Sequence, residues 1–284
     1  MLRRLQVHRA TSIDEAIALR VRFGDDAAVY AGGTELLLAM KLGVARWPHL
    51  IDVKPIAELH GVTVASGTLR IGAAVTHWEL ERDAAVARAI PAFAELERHV
   101  ANVRVRAAGT LAGNIAFAEP HADPPTLLAA LGASIVVRGS AGERVVPIAE
   151  FTTGMYQTTL AADEIIVAIE VPVPAASKRV AYVKFQILER PSVGVAMVAE
   201  VRDGRFAEAP VMVIGAVDEV PRRVATDPLR GADARAAATL DALADAARGA
   251  VEPVADLAGD ADYKRHLVGV FARRAVDALL AQAA

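Results

Sequence analysis

The 284-residue chain contains no cysteine. That excludes a disulfide, a thiolate nucleophile and an iron–sulfur cluster held by its own cysteines. Aromatic residues make up only 5%, so aliphatic side chains must fill the core. Charge of neither sign dominates: 31 Lys and Arg against 34 Asp and Glu give a formal net charge of −3. That balance argues against a nucleic-acid or anionic-membrane footprint. Long apolar runs are missing too. Mean hydropathy is +0.33, but the Ala, Val and Leu responsible are spread along the chain, and no uninterrupted stretch reaches the roughly 20 residues of a bilayer span. The opening "MLRRLQVHRATS" has basic residues without an apolar h-region, so no secretory signal is expected. A cytoplasmic protein is the expectation. Its length is near the upper limit for one core, which predicts two or three subdomains.

The elements that are present begin with a helix. Ser12 is followed three residues later by Glu15, the spacing of a capping box, and Ile13, Ala16, Ile17 and Val21 share one face. Gly24 is placed to end it. A short strand, "AAVYA", runs into two glycines, and "TELLLAMK" then reads as a helix stopped at Gly43. "HLIDV" reads as a second buried strand. "VTVASGTLRIG" predicts a hairpin turning at Ser66-Gly67, followed by the helices "HWELERDAAVARA" and "PAFAELERHVA", with Pro91 in a tolerated first-turn position. Residues 102–133 are rich in Gly, Ala and Pro until a helix near 126–131. "SIVVRGSAGERVVPI" is a second hairpin and "EIIVAIEVP" another strand.

The Pro-rich joint "VPVPAASKR", residues 171–179, is the best candidate boundary. Beyond it three strands are expected, "VAYVKFQI", "VGVAMVAEV" and "RFAEAPVMVIGAV", with Asp203-Gly204 as a tight turn. Two Ala-rich amphipathic helices, at about 233–248 and 263–281, close the chain. The expected units are residues 1–55, 56–174 and 175–284.

Two segments carry chemistry. "VYAGGTELLLAMKLG", residues 29–43, places Gly32-Gly33 directly after a strand. The pair can serve a tight turn with positive φ. It can also leave bare amides at a helix start, where an anion such as phosphate approaches backbone unscreened by Cβ. The segment is not a G-x-G-x-x-G fingerprint and lacks the lysine of a P-loop. "GTLAGNIAFAEPHAD", residues 109–123, is a second glycine-bearing and poorly periodic stretch, offering Thr110, Asn114 and Asp123 beside bare backbone. Elsewhere the signals are weak. The seven histidines show no ligand spacing, His121-Ala122-Asp123 being the nearest to a metal pair. "RPSVG" lacks the nucleophile elbow. Arg104 and Arg106 in "VRVRAAG" suit either an anion or docking surface or a solvated strand face.

Together "AGGTELLLAMK", "GTLAGNIAFAEPHADPPTLLAALGA" and "YQTTLAADEIIVAIEVP" resemble the FAD-binding medium subunit of the molybdenum hydroxylases. The resemblance extends from "HRATSIDEAIAL" to "DYKRHLVGVFARRAVDALL" and so covers nearly the whole chain. It implies an α+β architecture: a vanillyl-alcohol-oxidase-type FAD-binding fold of two α+β subdomains plus a C-terminal α+β flavoprotein domain. By match to the first segment, Ala31, Gly32, Gly33, Thr34, Glu35 and Leu36 would line the FAD diphosphate and its surroundings. By match to the second, Thr110, Gly113, Asn114 and Asp123 would hold the flavin side. Ala101, Ile165 and Ile166 match further flavin-contacting positions, and Lys184 matches a lysine near the ring edge. Three departures stand out: Ala112 where a second glycine is usual, Ala122 where serine is common, and Pro191-Ser192 where aspartate often occurs.

The resemblance implies an electron-transfer oxidoreductase subunit with noncovalent FAD and no catalytic residue of its own. Its partners would be a small subunit with 2Fe-2S clusters and a large subunit with the molybdenum cofactor, assembled as a dimer of heterotrimers. A stand-alone FAD-dependent oxidase and a flavin-free scaffold are the alternatives.

Overall fold

A computed structural model describes residues 4–187 and 189–282. The chain opens with β1 (Gln6–Arg9), α1 (Ile13–Phe23), β2 (Ala27–Tyr30), α2 (Leu36–Leu42) and β3 (His49–Asp52). The three strands form a parallel sheet in the order β1-β3-β2. The strand β1 is an addition to the elements expected from sequence, because "QVHR" has neither alternation nor a buried residue. Ser12 caps α1 by accepting from the Glu15 amide, but Glu15 returns its carboxylate to Thr11 rather than to Ser12, so the box is only half closed. Ile13, Ala16 and Ile17 face the core, whereas Val21 is 61% exposed. Gly24 and Gly43 end the two helices with positive φ, as expected.

A second unit follows: β4 (Val62–Ala65), β5 (Thr68–Gly72), α3 (His77–Arg82), α4 (Ala84–Ala89), α5 (Pro91–Arg98), α6 (Val103–Ala108), α7 (Leu111–Phe117), α8 (Pro124–Leu131), β6 (Ser134–Gly139) and β7 (Gly142–Pro147). It is completed by α9 (Ile148–Phe151), β8 (Thr152–Gly154), β9 (Gln157–Thr158) and β10 (Ile165–Pro172). The hairpins turn at Ser66-Gly67 and 140–141, and β10 inserts between them to give the antiparallel order β4-β5-β10-β6-β7. The predicted helix 77–89 is broken at Asp83, whose carboxylate caps α4 through the amides of Ala85 and Val86. Residues 103–117, read from sequence as loop or strand, form α6 and α7. The Asn102 and Thr110 side chains cap them.

The last unit holds β11 (Lys178–Gln186), β12 (Pro191–Arg202), β13 (Arg205–Phe206), β14 (Val211–Gly215), β15 (Arg222–Arg223), α10 (Ala237–Gly249) and α11 (Ala261–Leu280). The expected third strand is split into β13 and β14. Antiparallel β11-β12-β14-β15 packs one face on α10 and α11 through Val195, Met197, Ile214 and Phe271. Its other face receives α8, with Ala196, Val198 and Val213 joining the large core of the preceding units. The fit is close: a Cβ on Gly215 would lie 1.9 Å from the Thr126 hydroxyl oxygen. This mixed sheet-and-helix architecture agrees with the expected α+β class. Among the described residues no helix is long and apolar enough to cross a membrane.

Candidate functional site

Ala31 to Glu35 bridge the end of β2 to α2, and Leu36 is the first residue of that helix. Among the described residues, the N–H groups of Gly32, Gly33, Thr34 and Glu35 donate to no backbone carbonyl. Both glycines are required by space. Gly33 has φ +71°, and a Cβ there would meet the Tyr30 ring at 2.3 Å. A Cβ on Gly32 would lie 2.0 Å from the Ala108 carbonyl oxygen. Gly32 therefore seats the first segment on the start of the second. Lys54, unmarked in the sequence, braces this corner by bonding Asp52 and the Ala31 carbonyl and lying over the Tyr30 ring.

The second segment is tied down by side chains. Thr110 is 3% exposed and its hydroxyl accepts from the Gly113 amide. A Cβ on Gly113 would approach that hydroxyl to 2.9 Å, which accounts for the glycine. Ala112, in the first turn of α7, is buried and absent from the positive-φ residues, so alanine sits there without backbone strain. The Asn114 Oδ1 atom is buried without a partner. Beneath the segment, His77 donates its amide to the Gly109 carbonyl and pairs through Nδ1 with buried Glu97 at 2.6 Å.

Asp123 is 4% exposed, accepts from the Tyr182 hydroxyl at 2.8 Å and pairs with Lys184 at 3.0 Å. Burial pushes its carboxyl up from the usual range, against the opposing pull of Lys184 and Tyr182. Burial and the Asp123 charge push the Tyr182 hydroxyl well up, which keeps it a donor. Gly194 makes room for that hydroxyl, since a Cβ would meet it at 2.5 Å. Lys184 also donates to the His99 carbonyl at 2.7 Å, beside Ala101, whose φ of +43° is left-handed. The lysine charge is thus balanced by Asp123 within the protein. Ser192, at one of the departures noted in the sequence, buries a hydroxyl oxygen without a partner. Ile165 and Ile166 are buried at the start of β10, where a bulge interrupts pairing with β6 and α7 packs on the strand.

The structure therefore brings the two glycine segments together and places the Asp123–Lys184 pair between the second of them and the last unit. Of the two arginines in "VRVRAAG", Arg104 is exposed, while Arg106 is engaged by Glu81 and the Val100 carbonyl. Only the first remains open to docking. His121 contacts Glu119 and Asp256, but among the described residues no group of three or more His, Cys, Asp or Glu could hold a metal ion.

Bare amides beside a forced glycine turn suit an anion, and the buried orphan oxygens of Asn114 and Ser192 suit the polar edge of a ring. These residues fit a flavin dinucleotide. The family comparison decides the matter: residues 3–174 match the FAD binding domain in molybdopterin dehydrogenase. The chain belongs to that family. Residues 188–279 match the CO dehydrogenase flavoprotein C-terminal domain. Among curated relatives, the carbon monoxide dehydrogenase medium chain of Hydrogenophaga pseudoflava is 34% identical over 99% of both chains. The nicotine 6-hydroxylase medium subunit of Paenarthrobacter nicotinovorans is 30% identical over 93% of both. Among solved structures, carbon monoxide dehydrogenase from Hydrogenophaga pseudoflava superposes with a TM-score of 0.96 at 35% identity, covering 100% of each chain. Quinoline 2-oxidoreductase from Pseudomonas putida 86 gives 0.93 at 29%, covering 99% of this chain and 98% of the other. The resemblance drawn from the glycine segments, the fold class and the FAD-binding character are all borne out.

Within this FAD-binding family fold, sequence reasoning missed Lys54, Tyr182 and Arg190. Arg190 pairs with Glu35 and with Glu119. Burial raises the Glu119 carboxyl, but bonds from His121 and Tyr156 and the charge of Arg190 outweigh it and hold the carboxyl at about 2. The Tyr156 hydroxyl is pushed up to about 12 by burial and by Glu119.

Proposed function

We propose that this chain is the FAD-binding electron-transfer subunit of a heteromeric molybdenum hydroxylase, relaying electrons from a partner's 2Fe-2S clusters to an external acceptor. The observation that carries the reading is the seating of Gly32 on Ala108, which joins two anion- and ring-suited segments in a chain of the FAD-binding family. The bound FAD would supply reversible one- and two-electron chemistry. The chain's own residues bind, orient and tune it.

In this reading the amides around Gly32, Gly33 and Thr34, with Ala31, Glu35 and Leu36 alongside, hold the diphosphate. Thr110, Gly113 and Asn114 take the flavin side, Ala101, Ile165 and Ile166 shape the ring's surroundings, and Asp123 holds Lys184 in place near it. Because Asp123 balances Lys184, the pair offers a fixed dipole rather than a free cation. The lack of cysteine leaves cluster chemistry to a small 2Fe-2S subunit and substrate chemistry to a large molybdenum subunit. The assembly is a dimer of heterotrimers in the cytoplasm. Within this chain, residues 1–55, 56–174 and 175–284 are the three units.

Two measurements test this. The purified chain should carry one FAD, all of which acid denaturation releases into the supernatant; colour left in the precipitate refutes noncovalent binding. Coexpression with the two partner subunits should yield a complex that reduces a dye with substrate, while the isolated chain does not. Equal activity in both would instead establish a stand-alone oxidase.

A further inference from the structure

We infer that Arg190 is a positioning residue for the cofactor, clasping the two glycine-bearing segments together from the last unit and thereby slowing FAD release. The inference rests on the FAD reading above. Arg190 stands in the connection just before β12. Its Nη2 atom donates to Glu35 Oε1 at 3.1 Å, and its Nη1 atom donates to Glu119 Oε2 at 2.9 Å. The partners lie 155 and 71 residues away. One guanidinium fork therefore joins three distant stretches of chain, a reach that a lysine point charge does not reproduce.

The far side of the clasp is anchored. Glu119 also accepts from the Tyr156 hydroxyl at 2.7 Å and meets His121 Nδ1 at 2.9 Å. His121 Nε2 meets Asp256 Oδ2 at 2.9 Å, and that oxygen accepts from Lys264 at 2.6 Å. Lys264 is 1% exposed and bonds the Val254 carbonyl as well. The series runs from the head of α2 through the second segment to α11. A lone exposed ion pair contributes little, but a connected series with a buried anchor resists displacement.

The near side has an electrostatic purpose. Glu35 belongs to the stretch whose amides donate to no backbone carbonyl; in the reading above those amides hold the diphosphate, and the Glu35 carboxylate adds negative charge to the same stretch. Unpaired, it would repel that ligand. Arg190 cancels the charge and holds the side chain aside.

The test follows FAD release from the full-length flavoprotein after dilution, by the recovery of free-flavin fluorescence. Arg190→Gln should release FAD about tenfold faster, and Arg190→Lys should fall between it and the wild type. Added salt should accelerate release from the wild type more steeply than from Arg190→Gln. In the Arg190→Gln background, Glu35→Gln should slow release again, because the exposed carboxylate is gone. A purely structural arginine would leave the double variant as fast as the single one or faster, and that overturns the inference. Wild-type release from Arg190→Gln overturns it too. Should Arg190→Gln fail to fold by circular dichroism, the Arg190→Lys rate decides: unchanged release refutes the clasp. A wild-type chain that binds no flavin would instead refute the FAD reading itself.

Discussion

The two glycine segments solve the same problem by opposite means. Residues 31–36 present backbone: every one is partly exposed, their amides are bare, and no side chain caps the helix they lead into. Residues 109–123 present side chains held under cover, with Thr110 capping α7 and Asp123 locked between Tyr182 and Lys184. The first segment therefore depends on what is missing, namely Cβ atoms. The second depends on what is bonded. A substitution that adds one carbon at Gly32 or Gly33 should ruin the first, whereas the second, whose glycines at 109 and 113 are less tightly closed, should suffer most when a polar partner is removed.

The sharpest way to break this contrast is Gly32→Ala. The new Cβ would collide with the Ala108 carbonyl, a backbone atom unable to swing aside. A loss of about 3 kcal/mol in urea unfolding is expected, in the upper range of overpacking costs, together with loss of bound flavin. Stable protein with full flavin content would show that the segments need not touch.

Next in size is Asp123→Asn, which strands the Lys184 charge. Buried pairs broken on one side cost about 3–5 kcal/mol, and the remaining His99 carbonyl should reduce that to about 2 kcal/mol. Lys184→Met in the same background should recover part of the loss in a thermal melt. Additive destabilisation by the two changes would mean that the pair is not coupled.

Acid separates the segments in a third way, since amides do not titrate and Glu119 does. Its folded carboxyl stands at about 2 against a usual 4.5, so its contribution is complete above 4.5 and lost as pH falls toward 2. The stability gap between wild type and Glu119→Gln should therefore close across that window in a series of urea melts. A gap independent of pH would contradict the assignment. The smallest effect belongs to Thr110→Ala, about 1 kcal/mol for a lost N-cap. Flavin should stay bound but leave faster, and an unchanged melt would show that the cap does not hold the segment.

Legibility from sequence followed locality. Ser66-Gly67 and Asp203-Gly204 announced their hairpins because a two-residue turn needs positive φ, and all four residues have it. Gly32-Gly33 was equally readable as a place where backbone is exposed, and the Thr110 to Asn114 stretch as a polar, glycine-bearing site though not as a buried helix start. By contrast α6 and α7 were hidden by Gly, Ala and the alternating "VRVR". Their caps, Asn102 and Thr110, were the available signal. The strand β1 gave none, since its pairing with β3 spans about 40 residues and its side chains stay largely outside. The same rule applied in the site. Lys184 was identified from its local match, but that Asp123 neutralises it depends on a contact 61 residues away. Arg190 and Glu119 are ordinary charged residues until the fold brings them together.

The burial of β12 bears on how this protein could be recombined. Its first ten residues are all buried, with α11 on one face and α8 from the flavin-side unit on the other. A cut at the Pro-rich joint would therefore uncover an apolar sheet face on one fragment and α8 on the other. Chimeras that trade the last unit between relatives must exchange α8 with it, or match the Thr126–Gly215 fit by hand. The joint that looks like a seam in the linear chain is thus a poor place to splice.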